Sequence, residues 1–159
     1  MNRLSQLVIF HLDDQKYALI LSAVGRCIQV VEITSLPKAP DIVLGVINMH
    51  GRIIPVFDIR KRFLLPQRDI QLSDKLIIAS PSKRTVALLV NSVSEVIEIP
   101  EEKIIEGEKI IPGLEYVEGV VKTEDGMILI HDLEQFLSLR EDKELHEAME
   151  ELNQNERKD

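Results

Sequence analysis

Short apolar runs separated by small polar turns make up most of this chain. Five runs lie in the first half of the sequence, at residues 7–12, 17–21, 26–33, 45–49 and 52–57. Runs of this length with turn residues between them predict β-strands, and His50-Gly51 stands between the last two as a hairpin turn. Asp58 follows the fifth run, where an N-cap would begin a short helix over residues 59–63.

The second half of the chain repeats this order. Its runs lie at residues 76–79, 85–90, 94–99, 119–122 and 127–131. Identical residues recur at an offset of 69 and later of 74, in the pairs Ala18/Ala87, Leu19/Leu88, Val24/Val93, Ile28/Ile97, Gly45/Gly119 and Asp58/Asp132. A repeat of about 70 residues is too long for a solenoid unit, so it indicates two similar units side by side. Paired modules favour a binding surface over an enzyme.

The pattern predicts an all-β barrel or sandwich with five strands in each copy. Closure of each unit on itself would leave no exposed sheet edge. We place the first β-barrel subdomain at residues 5–68 and the second at 72–139, with 5–139 as one domain. Residues 140–159 form a tail in which Leu145 and Met149 recur at helical spacing, which predicts an amphipathic helix fraying after residue 153.

Smaller features complete the predicted organisation. A helical turn is expected at residues 41–44 and a short helix at 133–137, after Asp132. The third and fourth strands of the second copy are joined by an acidic connection over 100–118, with a turn at Pro112-Gly113.

Composition makes the core aliphatic, because 45% of residues are hydrophobic but only 4% are aromatic. The single cysteine, Cys27, excludes an internal disulfide and a Cys-based metal site. Its equivalence to Val96 predicts a small core residue rather than a reactive thiol. The chain start has no signal-peptide features and no apolar run reaches transmembrane length, so we expect a cytoplasmic protein.

The net charge of −8 is unevenly distributed. Residues 1–68 carry nine Lys or Arg and five Asp or Glu, whereas 69–139 carry six and fourteen. Such asymmetry acts on partner choice more than on fold, although solvated charge without a partner is an equal alternative. One basic cluster consists of Arg52, Arg60, Lys61, Arg62 and Arg68. The acidic chain with few aromatics argues against nucleic acid, so we expect this cluster to meet an acidic protein partner.

No residue set has the spacing of a catalytic or cofactor site. The four histidines are scattered, and the glycines form no phosphate-binding loop. Asp58 and Asp132 occupy equivalent positions and could in principle act as an acid–base pair, but capping of the helical turns they precede is the simpler interpretation. We therefore predict no catalytic residue, no metal and no cofactor.

The segment from Asn48 to Gly51 has features of an adaptable contact. Gly51 is expected at positive φ, and Met49 is a flexible apolar side chain near the tip of the hairpin. A plain hairpin turn without a partner is the alternative interpretation.

The stretch Gly45-Val-Ile-Asn-Met-His-Gly-Arg-Ile-Ile-Pro-Val-Phe-Asp-Ile-Arg-Lys-Arg-Phe63 resembles the signature of the CheW-like chemotaxis coupling proteins. That signature runs approximately Gly-x-x-Asn-Leu-Arg-Gly-x-x-x-Pro-x-x-Asp-Leu-Arg, and the resemblance covers residues 5–139. It implies two five-stranded SH3-like barrels with a shared hydrophobic seam, short connecting helices and no catalysis. It also implies that the protein joins the cytoplasmic tip of a chemoreceptor to the regulatory domain of a histidine kinase, and meets a membrane only through receptors.

By position, the resemblance implies a receptor groove between the barrels that involves Val24, Arg26, Ile28, Asn48, Met49, His50 and Gly51. Kinase contacts would use the outer ends of the barrels. The chain departs from the family pattern at His50, where Arg is usual, and at Arg26, where an acidic residue is common. An imidazole does not match the planar fork of arginine, so receptor recognition is expected to differ.

Three hypotheses remain at this point. The first is a non-catalytic adaptor of a bacterial chemosensory array. The second is an adaptor of the same fold in a non-motility pathway such as pilus control, which the departures at Arg26 and His50 favour. The third is a hydrolase or nucleic-acid-binding barrel, for which the sequence offers no polar constellation or basic groove.

Overall fold

Ten strands and a C-terminal helix make up the part of the chain that the computed structural model describes. That part is residues 3–81, 84–106 and 116–158, the last five by their backbone only. The elements are β1 (Leu4–Leu12), β2 (Gln15–Ile20), β3 (Val24–Gln29), β4 (Val43–Met49), β5 (Arg52–Phe57), β6 (Lys75–Ala79), β7 (Val86–Val90), β8 (Ser92–Pro100), β9 (Val117–Thr123), β10 (Gly126–His131) and α1 (Leu139–Lys158). Single 3-10 turns lie at Leu21–Ala23, Ile59–Lys61 and Glu101–Lys103.

The strands form two five-stranded sheets, which confirms the predicted all-β class and its SH3-like units. Sheet A has the strand order β8-β1-β2-β10-β9, and sheet B has the order β3-β6-β7-β5-β4. In sheet A, the β1–β2 hairpin of the first copy lies among strands β8, β9 and β10 of the second copy. In sheet B, the β6–β7 hairpin of the second copy lies among strands β3, β4 and β5 of the first copy. The sheets therefore do not follow the sequence boundaries at 5–68 and 72–139. The repeat by itself left this exchange open.

The sequence repeat is preserved in the hydrogen-bond register. Leu7 pairs with Ile20, and 69 residues later Leu76 pairs with Leu89. Ile47 pairs with Ile54, and 74 residues later Val121 pairs with Ile128. The parallel contact Val56–Ala87 of sheet B likewise has its counterpart in Ile130–Ala18 of sheet A. The two sheets are thus equivalent pair by pair.

The sheets are not closed barrels, because within the described ranges no ladder joins β8 to β9 or β3 to β4. A single bridge takes the place of a ladder in each sheet. The chain that follows β3 bonds back to β4 through Thr34 and Val46, and the chain that follows β8 bonds to β9 through Ile105 and Val120. Among the described residues, strands β3 and β8 each pair along one edge only, and most of their residues are exposed.

Three groups of apolar side chains fill the described part of the structure. The sheet A core is Leu7, Ile9, Ala18, Val121, Ile128 and Ile130. The sheet B core is Ile47, Ile54, Val56, Leu76, Ile78 and Ala87. A third, central core takes residues from both sheets and from α1, including Phe10, Tyr17, Phe57, Ile77, Leu88 and Leu145. Strands β6 and β7 therefore bury both faces, which is why their sequences are continuous apolar runs rather than alternating ones.

Several sequence expectations need correction. Residues 133–137 form turns rather than a helix, and the predicted helix at 59–63 is a 3-10 turn at Ile59–Lys61. The third strand ends at Gln29 instead of residue 33, and β4 begins at Val43, inside the predicted helical turn. Helix α1 continues to Lys158 instead of ending near residue 153. The predicted turn at Pro112-Gly113 lies outside the described residues.

Cys27 is exposed, although the repeat predicted a core residue. Its equivalent Val96 is exposed too, since both lie on the largely exposed edge strands. Desolvation raises the pKa of the Cys27 thiol, and the nearby Lys75 lowers it by less.

A candidate protein-binding surface

The β4–β5 hairpin ends in a two-residue turn, because Met49 pairs with Arg52. Both turn residues have positive φ, 54° at His50 and 86° at Gly51. This is the combination required by a type I′ turn, which matches the twist of the flanking strands. The Gly51 N–H donates to Oδ1 of Asn48 at 2.9 Å and holds the turn. The positive φ expected at Gly51 is confirmed.

The residues of this segment differ in burial. Met49 is half-buried and packs against the sheet B core, while Asn48, His50 and Gly51 are exposed. Ile28 of β3 packs against the same core. The structure thus brings Ile28 and Met49 to one apolar cluster, although β3 and β4 are the two edge strands of sheet B.

Val24 and Arg26 lie on β3, which pairs with β6 along one edge only. The register slips at Gly25, so that Val24 faces Ala79 and Arg26 faces Ile78. Val24 packs against the central core and not against the cluster that holds Ile28. Arg26 is exposed, and within the described ranges neither Arg26 nor His50 has a side-chain hydrogen bond or ion pair. The Arg26 guanidinium and the His50 imidazole therefore lie on this surface without side-chain partners among the described residues.

The basic cluster predicted from the sequence is not a free patch. Arg60 is buried, donates to Oδ2 of Asp13 at 2.7 Å and to the Pro66 carbonyl at 2.9 Å. Arg68 pairs with Asp74 at 2.6 Å, and Arg62 pairs with Glu141. Hydrogen bonding from Arg60 lowers the pKa of Asp13. Arg60 and Arg62 join segments distant in sequence, and Arg68 joins residues of its own loop, so these three guanidinium groups hold the fold together instead of facing a partner.

Arg62 joins its own segment to three other parts of the structure. Its Nε donates to the Phe136 carbonyl at 2.6 Å, and its guanidinium lies 5.1 Å from the ring centre of Tyr116. Its partner Glu141 also takes part in a capping box with Ser138, whose hydroxyl accepts from the Glu141 N–H at 3.1 Å. Burial raises the pKa of Glu141, but hydrogen bonds from Arg62 and Ser138 outweigh it and hold the pKa below its usual value.

Helix α1 is docked on the body of the protein. Leu145 and Ala148 are fully buried in the central core, and Met149 and Leu152 pack beside them. Ion pairs at the rim join Arg84 to Asp142 at 2.6 Å and Lys38 to Glu151 at 3.4 Å. The apolar spacing in the tail was visible in the sequence, but the surface that it covers was not.

His131 is buried next to Arg62 in an aromatic cluster. Its ring lies 5.5 Å from that of Phe63 and 5.4 Å from that of Phe136, centre to centre. Neither ring nitrogen has a hydrogen-bond partner among the described residues. Burial, with a smaller contribution from the Arg62 charge, lowers the pKa of His131 to about 3. The ring is therefore neutral at physiological pH and acts as an apolar core residue.

The two repeated aspartates act as caps. Oδ1 of Asp58 accepts from the Arg60 N–H at 3.2 Å, and Oδ1 of Asp132 accepts from the N–H groups of Glu134 and Gln135 at 2.9 and 3.2 Å. The capping interpretation is confirmed. A shared acid–base role would need free carboxylate oxygens of both residues directed at one reaction site. Here Oδ1 of each aspartate instead accepts from backbone N–H groups of its own turn.

One cavity of about 70 Å³ is lined by several charged residues, among them Asp58, Arg60, Arg68 and Asp74. Arg68 and Asp74 are paired with each other, and Arg60 with Asp13, which makes the polar lining structural. Within the described ranges, no three His, Cys, Asp or Glu side chains are placed to hold a metal ion.

Among the helices of the described part, none combines the length and apolar character needed to cross a bilayer.

Comparison with known proteins assigns this architecture to a family. The chain matches the CheW-like domain over residues 6–141, so α1 lies almost wholly beyond the match. The chemotaxis protein CheW of Treponema pallidum (strain Nichols) is 25% identical over 142 residues, covering 86% of this chain and 84% of that protein. The one from Thermotoga maritima is 30% identical over 132 residues, covering 83% and 87%.

A solved relative gives the same assignment in three dimensions. The scaffolding protein TtCheW from Thermoanaerobacter tengcongensis superimposes with a TM-score of 0.78 at 32% identity, covering 89% of this chain and 91% of that one. The paired open sheets, their capped turns and these matches lead to one assignment: the chain belongs to the CheW-like family of chemotaxis scaffold proteins.

Proposed function

We propose that the chain is a non-catalytic adaptor that binds the cytoplasmic tip of a chemoreceptor and the regulatory domain of a histidine kinase. The observation that carries this proposal is the family match over residues 6–141, which spans both sheets. The relatives described above are named as chemotaxis or scaffolding proteins, which supports a binding role. Since receptor tips and kinase domains meet in the cytoplasm, the proposal places the chain there.

The receptor surface in this proposal consists of Val24, Arg26, Ile28, Asn48, Met49, His50 and Gly51. Two of its apolar members, Ile28 and Met49, are anchored in the sheet B core yet remain partly accessible, which suits contact with an amphipathic helix. The turn at His50 and Gly51, held by the hydrogen bond to Asn48, adds exposed polar groups beside them.

The charge on this surface indicates which receptor tip it would fit. Arg26 and His50 are exposed without side-chain partners among the described residues, so an acidic or neutral helix face is complementary to them. In the family pattern, an arginine stands at the position of His50 and an acidic residue at that of Arg26. A receptor tip that is recognised by those two residues would not find them on this chain. This difference keeps the second candidate open, an adaptor of a non-motility chemosensory pathway with altered receptor recognition.

The interleaved sheets support treating residues 5–139 as one functional unit. Each sheet takes strands from both halves, so neither half has its own complete sheet. We therefore expect receptor and kinase binding to be lost together when either sheet unfolds, and separately when a surface residue changes.

The test is a titration of the full chain against a purified histidine kinase regulatory domain and, separately, against a receptor cytoplasmic fragment. We expect 1:1 binding to each and a ternary complex when all three are mixed. Absence of binding to both partners, with the chain folded, would refute the adaptor proposal. Binding to a kinase whose output is not motility would favour the second candidate.

A further inference from the structure

The second copy of the repeat buries a histidine where the first copy has a phenylalanine. His131 is equivalent to Phe57 at the offset of 74, and Phe136 is equivalent to Arg62 at the same offset. The rings of Phe57 and Phe136 meet edge to face, with their centres 4.9 Å apart. The counterpart of this contact in the other half of the molecule is His131 beside Arg62. A contact between two apolar rings is therefore replaced by a titratable ring next to a permanent positive charge.

The imidazole of His131 costs the fold stability that a phenyl ring would not. The ring is buried, and neither nitrogen has a hydrogen-bond partner among the described residues. A buried polar group without a partner destabilises the folded state, and a ring of carbon atoms at this position would avoid that cost. The fold therefore accounts for an aromatic ring at residue 131 but not for its nitrogens. Binding a proton near neutral pH is what imidazole offers and phenylalanine does not.

A proton on His131 would meet a like charge without a counter-ion. The charge that acts on the ring is that of Arg62. The Asp132 carboxylate, next in the chain, caps its own turn, and Glu141 of α1 pairs with Arg62. Tyr116, from the segment before β9, places its ring over the same guanidinium. Within the described part of the chain, no carboxylate is bonded to the imidazole, so a protonated ring would be repelled by the guanidinium.

Arg62 is also the residue that fastens helix α1 and the turns before it. Its Nε donates to the Phe136 carbonyl at 2.6 Å, and its guanidinium pairs with Glu141 in the first turn of α1. Further along the helix, Leu145 and Ala148 are buried in the central core. The turns at 132–138 and α1 thus form a strap over the central core, and His131 lies next to the residue that holds it.

We infer that this strap is proton-sensitive: it is released from the central core when His131 takes up a proton. While the strap is docked, burial and the Arg62 charge hold the pKa of His131 at about 3. Release lets water reach the ring, whose pKa then returns to the ordinary value of about 6.5. Between these values only the released form binds the proton, so the equilibrium constant for release increases as pH falls. The expected rise is about tenfold between pH 7.5 and 5.5.

Amide hydrogen exchange of the full chain at pH 7.5, 6.5 and 5.5 tests this inference. Each measured rate is divided by the intrinsic rate of that amide at the same pH, which gives the equilibrium constant for opening. We expect the amides of Leu145 and Ala148 to open about tenfold more readily, or more, than those of Ile77 and Leu88, which need global unfolding. The opening constants of α1 should also rise about tenfold from pH 7.5 to 5.5.

Three variants separate the histidine from the helix. His131→Phe installs the residue that the first copy has at this position, and the rise with falling pH should disappear. Glu141→Gln removes the ion pair to Arg62, so release should be easier at every pH while the rise remains. His146→Gln is the matched control, because His146 is an exposed histidine on α1 itself, and the rise should remain. His131→Leu gives the same readout where phenylalanine disturbs the packing.

Opening constants of α1 that rise with falling pH in the wild type and in His146→Gln, but not in His131→Phe, support the inference. Equal opening constants for α1 and β6, a wild-type chain without the rise, or a rise that persists in His131→Phe would each overturn it. These outcomes do not involve a receptor or a kinase, so the adaptor proposal stands or fails separately.

Discussion

Gly45 and Gly119 hold the same position in the two sheets, each beneath the segment that crosses from the third strand to the fourth. Val46 and Thr34 exchange two backbone hydrogen bonds of 2.7 and 2.9 Å, and Val120 and Ile105 exchange an identical pair. A Cβ on Gly45 would lie 2.2 Å from the Thr34 carbonyl oxygen, and one on Gly119 would lie 2.6 Å from Cγ2 of Ile104. The glycines shared by the two copies are thus what allows each sheet to approach closure.

We expect Gly45→Ala to lower the free energy of unfolding by about 3 kcal/mol, because the obstructing atom belongs to the backbone. Gly119→Ala should lose only about 1 kcal/mol, since the Ile104 side chain can move aside. Urea unfolding measures both values. Gly25→Ala is the control, because its Cβ would only come within 3.4 Å of the Ile78 carbonyl. Equal losses at residues 45 and 119 would contradict the distinction between a backbone and a side-chain obstruction, and no loss at either would contradict the closure argument.

Helix α1 should contribute to stability although it lies outside the family match. Leu145→Ala removes a fully buried side chain and should lower the free energy of unfolding by about 2–4 kcal/mol. Leu139→Ala, at an exposed position of the same helix, should change it by less than about 0.5 kcal/mol. Urea unfolding measures both values, and equal unfolding midpoints for the two variants would show that α1 is not docked in solution.

Stability should fall in mildly acidic solution because of His131. The folded state keeps its pKa at about 3, while the unfolded chain has the ordinary value near 6.5. Between these values only the unfolded state takes up the proton, so the free energy of unfolding falls as pH decreases from about 6.5. The slope should reach about 1.4 kcal/mol per pH unit.

The measurement is chemical unfolding at pH 7.5, 6.0 and 5.0, in a range above the titration of most carboxylates. His131→Leu, which fills the site without a titratable group, should flatten this slope. His50→Asn, at an exposed position that tolerates positive φ, should leave it unchanged. A slope that persists in His131→Leu would place the proton uptake elsewhere.

Asp58 should contribute to stability through the hydrogen bond that caps the turn and not through its negative charge. Asp58→Asn keeps an oxygen acceptor for the Arg60 N–H and should lower the free energy of unfolding by less than about 0.5 kcal/mol. Asp58→Ala removes the acceptor and should lower it by about 1 kcal/mol. Thermal unfolding and binding are measured on the same samples. Loss of binding in Asp58→Asn without loss of stability would point to a functional carboxylate.

His50→Glu tests the proposed receptor surface. If this turn faces an acidic receptor helix, an added carboxylate should weaken receptor binding about tenfold, or 1.4 kcal/mol. Binding of the kinase regulatory domain should not change, because the family resemblance implies kinase contacts at the outer ends of the barrels. Fluorescence anisotropy with each labelled partner gives both affinities. An equal loss for both partners would show that residue 50 serves the fold rather than recognition.

Local sequence features predicted much of this structure. Hairpin turns, strand count and the aspartate caps depend on neighbouring residues, so the patterns at His50-Gly51 and after Asp58 were sufficient. Strand ends were less predictable, as at β3, because an edge strand ends where its single neighbour ends. The seven receptor-surface residues came from family resemblance; only Ile28 and Met49 are seen to share a core.

The sequence by itself determined the duplication, the aliphatic core and the approximate positions of the hairpins, because these follow from periodicity and turn chemistry within a few residues. Only the tertiary structure decided that the β1–β2 and β6–β7 hairpins are exchanged between sheets, that Arg60 and Arg62 are paired internally, and that α1 covers the central core. The physical reason is that strand partners, ion pairs and helix docking are set by groups that meet across long separations in the chain. Two copies with one hydrophobic pattern can pair within or between themselves, and a local pattern does not distinguish the two.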